Sequence, residues 1–358
     1  MMALNLFTDR AYLPEGLPHI TMLYPFWGKN PEPQGDPNTG RFDRFAESGR
    51  QFLSLTSLRD ADVAILPFGW EHRACSKEGI VLAEQLSQKA QAAGKSMALF
   101  FSSDSMKSVP NPHWLVFRTS LFRSRKASNE FAVPAWSEDF VDRYFGGEPP
   151  VRHKRRKPVI GFCGFAPSRP MMLRRLARAV REYWTSEATA SDTGGRYIRA
   201  AAIRVLAESS IVETNFVLRD RFFGGALLPT GVPDWHALAQ SRKEYVQNIC
   251  DSDYVLCVRG AGNFSYRLYE TLICGRIPIF VDTDCLLPYH SSIAWKQHCV
   301  WVDQSDLEQL PEKIAQFHDA LTDQQFIDLQ RSCREFWQTF LSPEGYFRHF
   351  HLHLQGEA

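Results

Sequence analysis

The run from Asp253 to Asp282 restricts this 358-residue chain more than any other segment. Asp253-Tyr-Val-Leu-Cys-Val258 is apolar and rich in strand formers, so it reads as a buried strand. Arg259-Gly-Ala-Gly262 interrupts it, a helix is expected from about Phe264 to Cys274, and Ile277-Pro-Ile-Phe-Val-Asp282 returns as a strand. Strand, glycine loop, helix and strand make a βαβ unit, which requires a parallel sheet with crossover helices.

The same alternation runs through both halves. In the first, Ile20–Tyr24, Ala61–Pro67, Ser96–Phe101 and Trp114–Phe117 read as strands, and Phe42–Leu53 and Gly79–Ala93 as helices. In the second, Val159–Cys163 and Asn215–Leu218 read as strands, and Met171–Trp184, His236–Asp251, Gln304–Leu321 and Asp323–Phe340 as helices. Gly146-Gly-Glu-Pro-Pro150 and the basic Val151–Pro158 separate the halves as a solvated linker, with a phosphate site as the sharper alternative. At about 150 residues per domain, two α/β domains are expected, 1–150 and 151–335, with a helix and tail at 336–358 packing back on the first.

Apolar residues make up 44% of the chain, enough for two cores, which excludes a wholly disordered protein. A formal charge of +1 gives no support for a general nucleic-acid or membrane-surface binder. The eight cysteines form no C-x-x-C pair, and several lie in apolar runs, as in Leu272-Ile-Cys-Gly275. They read as reduced, buried hydrophobes in a reducing compartment. The first residues show no basic region ahead of an apolar run, and no apolar stretch approaches the roughly 18 residues needed to span a bilayer. A cytoplasmic protein is expected, with a peripheral place at the inner face of a membrane left open.

The chemistry concentrates in 259–270. Amides at a helix N-terminus attract anions, and glycines such as Gly260 and Gly262 let a backbone approach a phosphate. Asn263 and Ser265 are placed to cap the helix or donate to an oxygen, and Arg259 carries a planar fork suited to pyrophosphate. Arg267 and Glu270 are three residues apart and share a helix face, so Glu270 either accepts from ribose hydroxyls or forms a surface ion pair with Arg267. The loop lacks the third glycine of the dinucleotide fingerprint, so spacing alone leaves the two readings level.

The stretch Tyr245–Val302 resembles the C-terminal part of the exostosin family of glycosyltransferases. The resemblance is carried by Ser252–Gly260, Ser265-Tyr-Arg-Leu-Tyr-Glu270, Gly275-Arg-Ile-Pro-Ile-Phe-Val281, Leu287-Pro288, Trp295 and Cys299-Val-Trp-Val302. Ala61–Phe68 and Gly161–Arg169 look like the family's other strand-and-loop segments. The resemblance implies a GT-B architecture, two doubly wound Rossmann-like domains facing across a cleft, with a UDP- or GDP-sugar held by the second domain. It implies an oligosaccharide or lipid-linked glycan as acceptor and no cofactor or metal. Asp251-Ser-Asp253 and Asp282-Thr-Asp284 have the spacing of a metal motif but read as helix-end and strand-end carboxylates. Without the anchors and disulfides of the animal members, bacterial surface polysaccharide or lipopolysaccharide synthesis is the natural expectation. A sugar-nucleotide epimerase or hydrolase, or a non-catalytic binding relative, is the alternative.

Further cations expected near the donor are Arg169, Arg219 and Arg221, the last two equally readable as a loop paired with Asp220. A base from the first domain would sit in the loop after Ala61–Pro67, at Glu71 or His72, unless this is an ordinary polar loop. His349, His351 and His353 alternate, which suits a metal site less well than a frayed polar tail.

Overall fold

The computed structural model describes residues 3–33, 35–71, 77–166, 191–220 and 234–354. Eleven strands among these form two all-parallel sheets. The first contains β1 (Leu4–Phe7), β2 (Leu53–Leu55), β3 (Val63–Ile65), β4 (Met97–Phe101), β5 (Leu115–Arg118) and β6 (Glu130–Ala132), in the order β2-β1-β3-β4-β5-β6. The second contains β7 (Val159–Phe165), β8 (Glu213–Arg219), β9 (Tyr254–Cys257), β10 (Ile277–Asp282) and β11 (Val300–Asp303), in the order β11-β10-β9-β7-β8. Two parallel α/β sheets with crossover helices are the GT-B arrangement.

Strands buried on both faces read as continuous apolar runs, and β4, β9 and β10 are buried at every position. Helix Lys77–Ala92 covers the first sheet through Gly79, Ala83, Leu86 and Ala90, spaced three to four apart along one stripe. The reading of Ile20–Tyr24 as a strand is corrected: Thr21–Leu23 is a 3₁₀ turn running into helix Tyr24–Trp27. Pro25 lies in that helix's first turn, where its missing N–H costs nothing. The strand is instead Leu4–Phe7, which pairs with both β2 and β3. The helix expected over Phe42–Leu53 stops at Ser48, and Leu53 already belongs to β2. The expected helix Met171–Trp184 lies outside the described residues.

The basic segment 151–158 is held by acids. Arg152 Nε lies 2.6 Å from Asp253 Oδ1, and Asp253 Oδ2 accepts from the Val159 amide at 2.8 Å. Asp282 accepts from Arg123 at 2.8 Å, and Asp284 accepts from the Ser124 amide at 3.1 Å. Neither acidic pair gathers a third ligand; among the described residues no group of three His, Cys, Asp or Glu could hold a metal. The described cysteines are free and buried.

After helix Asp323–Phe336 the chain crosses back to the first sheet. Tyr346, Phe347 and Phe350 are buried in its core, with ring centroids 4.6 Å apart for Phe45–Phe347 and for Phe117–Phe350. The frayed-tail reading of the histidines is therefore corrected as far as His353, which is buried and stacks on Tyr289 at 4.5 Å. Among the described residues no helix is long and apolar enough to cross a membrane.

Candidate functional site

A cleft of about 600 Å³ opens between the two sheets. The second unit lines it with Gly164 and Phe165 at the end of β7, Arg219 at the end of β8, and Gly260, Ala261 and Phe264 after β9. The first unit contributes Asn38, Arg41, Asp104 and Ser137. Ligands of open α/β sheets bind at such carboxyl ends, where loops leave the strands.

Helix Tyr266–Ile273 starts at Ser265, whose side chain makes no capping bond. From this helix Arg267 and Glu270 both reach the cleft. Arg267 Nη2 donates to the Cys163 carbonyl at 2.9 Å and its guanidinium lies 4.3 Å from the Phe162 ring centroid. A Cβ on Gly164 would stand 2.9 Å from Arg267 Nη2, so a side chain there would push the guanidinium aside. The surface pair Arg267–Glu270 does not form. Glu270 is 5% exposed and pairs with Arg242, whose Nη1 lies 3.2 Å from Oε1. Ser137 Oγ donates to the same oxygen at 2.7 Å, and the Tyr245 hydroxyl donates to Oε2. A carboxylate accepts about four hydrogen bonds, so three protein donors leave room on Oε2 for one more. Burial pushes the Tyr245 hydroxyl well above the ordinary tyrosine range, with the Glu270 charge adding to it.

Arg199, on helix Ser191–Glu208, is 8% exposed and hydrogen-bonds only neutral carbonyls among the described residues: Phe165 at 3.3 Å, Arg259 at 3.0 Å and Val258 at 3.5 Å. Burial pulls its pKa down to about 9, and Arg267 and Arg196 push the same way. Burial is the larger cause, and the neighbouring guanidiniums add to it. Arg219 is balanced, with Nη2 2.7 Å from Glu244.

Glu138 lies behind the cleft wall, 3.5 Å from Arg242. Burial pushes its carboxyl up to about 7 against the pull of Arg242.

The structure thus gathers Gly260, Ser265, Arg267, Glu270 and Arg219 around one cavity. Asn263 is turned to the interface between the units: its amide donates to Ser120 Oγ at 2.9 Å, and its side chain bonds the Leu121 and Asp284 carbonyls and Thr283. Arg259 is buried with its guanidinium 5.8 Å from the Phe122 ring centroid, outside the cleft lining. Gly262 abuts the first unit, since a Cβ there would stand 2.7 Å from Asp104 Oδ1. Glu71 is exposed and outside the lining; His72, Arg169 and Arg221 lie outside the described residues. Sequence reading missed Arg196, Arg199, Arg242, Tyr245 and Asp104. Arg196 and Arg199, and likewise Arg242 and Tyr245, sit three apart on helices. Helical phase could have grouped each pair but not aimed it.

The Exostosin GT47 domain family matches residues 228–317. Exostosin-1 of Drosophila melanogaster is 27% identical over 99 residues, covering 28% of this chain and 12% of that protein. A probable glucuronosyltransferase of Oryza sativa subsp. japonica is 33% identical over 66 residues, 18% of this chain and 15% of that one. A probable beta-1,4-xylosyltransferase of Arabidopsis thaliana is also 33% identical over 66 residues, 18% and 16% of the two chains. A solved GtfA/B complex bound to UDP and GlcNAc superposes over 88% of this chain and 60% of its own, at 12% identity and a TM-score of 0.29, too low to carry an argument. The match is confined to 228–317 and the chain spans 12–16% of the length of these three relatives, so it is over that segment that the chain is similar to the Exostosin GT47 domain.

Proposed function

We propose that the protein is a glycosyltransferase that moves a sugar from a nucleotide-diphosphate sugar to a glycan acceptor. The observation that carries this reading is the gathering of Arg196, Arg199 and Arg267 in one cleft at the carboxyl ends of β7 and β9, with Arg199 buried and held by carbonyls. A departing nucleoside diphosphate develops negative charge, and preorganised guanidinium groups in a dry site stabilise it strongly. Arg199 and Arg267, held by carbonyls and by the Phe162 ring, need little reorganisation to do so. The spare lone pair of Glu270 suits a ribose hydroxyl, in the reading in which 259–270 serves the nucleotide.

With the charge met by arginines, the reading needs no metal, and a UDP- or GDP-sugar is the donor class. The acceptor, an oligosaccharide or lipid-linked glycan, enters from the side of Asn38, Arg41 and Asp104. Surface polysaccharide or lipopolysaccharide synthesis at the cytoplasmic face of a bacterial membrane belongs to this proposal, although the relatives above come from fly and plants.

A thermal-shift panel of UDP, GDP, CMP and dTDP tests the donor site, and stabilisation by none of them removes it. Nucleotide release that requires a glycan acceptor separates a transferase from an epimerase or hydrolase. Turnover that survives EDTA supports metal independence, and turnover abolished by it refutes that part. Cell fractionation tests the cytoplasmic or inner-face location; recovery outside both would refute it.

A further inference from the structure

Transfer to a hydroxyl needs a group to take its proton, and the cleft narrows the choice. Among the described residues lining it, only Asp104 and Glu270 bear carboxyl groups, and none is histidine. Glu270 stands on the donor unit, buried, with three donors already on its oxygens. Asp104 stands on the opposite unit, in the loop that leaves β4 at its carboxyl end, and is exposed to the cleft. Its Oδ1 reaches the donor loop so closely that a Cβ at position 262 would stand 2.7 Å away and force a shift. A carboxylate is thus brought across the cleft to the edge of the loop that leads into helix Tyr266–Ile273. Glu71 leaves the neighbouring strand β3 but does not line the cavity.

We propose that Asp104 is the general base of the transfer, a deepening that rests on the transferase reading above. Its carboxylate takes the proton of the acceptor hydroxyl as that oxygen attacks the anomeric carbon. The bond from that carbon to the diphosphate oxygen breaks, and the nucleoside diphosphate leaves with the electron pair toward the arginine cluster. The proton held by Asp104 then passes to water. A single displacement of this kind inverts the anomeric carbon.

The test uses the full chain with UDP-glucuronic acid, UDP-xylose, UDP-N-acetylglucosamine and GDP-mannose as donors, and p-nitrophenyl glycosides or water as acceptors. Nucleotide release gives kcat, calorimetry with UDP and GDP gives affinity, and proton NMR gives the product anomer. A general base contributes about 10²–10⁴ in rate. Asp104→Asn should lower kcat by about that factor with nucleotide affinity unchanged, and Asp104→Glu should recover part of it. The wild-type product should be inverted. Normal turnover by Asp104→Asn, loss of nucleotide affinity in it, or a retained anomer overturns the assignment and leaves the transferase reading standing. A dead Glu71→Gln beside an active Asp104→Asn would give the role to Glu71. A wild type that binds nucleotide but turns over no donor overturns base and transferase together.

Discussion

The Arg242 guanidinium lies 3.2 Å from the Glu270 carboxylate, and both side chains are largely shielded from solvent, 12% and 7% exposed. Removing one partner of a buried pair leaves the other charge unmatched, which costs about 3–5 kcal/mol. Arg242→Met and Glu270→Gln should each destabilise the fold by several kcal/mol, and the double variant by less than their sum. Urea unfolding in a double-mutant cycle measures this. Coupling below about 0.5 kcal/mol would show that the two act independently.

Arg199 should matter more to the nucleotide than Arg259 does. A charge-assisted hydrogen bond contributes about 1.5–3 kcal/mol, or roughly tenfold to a hundredfold in affinity. Arg199→Ala should therefore weaken UDP or GDP binding by about ten- to a hundredfold in calorimetry. Arg199→Lys should restore little, because an ammonium lacks the planar fork that holds three carbonyls and a phosphate at once. Arg259→Ala, outside the cleft lining, should change affinity less. Equal losses at both positions would place the diphosphate nearer Arg259.

Glu138 should make the fold less stable as pH rises. In the folded chain its carboxyl keeps a proton up to about 7, against an ordinary value of 4.5 in the unfolded chain. Between those values the folded state binds more protons, so stability falls with rising pH and is level above the window. At about 1.4 kcal/mol per pH unit the loss approaches ~3 kcal/mol. Glu138→Gln removes it, so its advantage over wild type should be small at pH 5 and largest near pH 8. Thermal melts at the two pH values check this, and an equal advantage at both would contradict the assignment.

Phe347 holds the returning chain to the first sheet, stacked on Phe45 and 1% exposed. Phe347→Ala should cost about 3–5 kcal/mol, as large aromatic truncations in a packed core do. A loss under about 1 kcal/mol in urea unfolding would show that the crossing segment is dispensable to that core.

Much of the architecture is decided by local pattern. Apolar runs of strand length alternate with helical stripes, and a chain so patterned folds into parallel sheets because only crossover helices join strands in that way. The unit 253–282 carries this most clearly, with β9, helix Tyr266–Ile273 and β10 in the expected order. The family resemblance also resides there, where glycine loop, arginine and glutamate follow one another in the chain. Leu4–Phe7 escaped because four residues are too few to show a period, and Ile20–Tyr24 misled because an apolar run ahead of a proline serves a helix start as well as a strand.

What tertiary packing alone decided is where charges meet. Arg267 and Glu270 are helix neighbours, yet Glu270 takes its cation from Arg242 on helix Trp235–Cys250 and Arg267 binds a carbonyl on β7. Arg199 comes from a third helix and Asp104 from the other unit. Sequence determines which face of an element is apolar, because that depends on the spacing of neighbours along the chain. It does not determine which distant charges share a low-dielectric cavity, because that depends on how the two sheets close on each other, and burial there sets the strength of each charge.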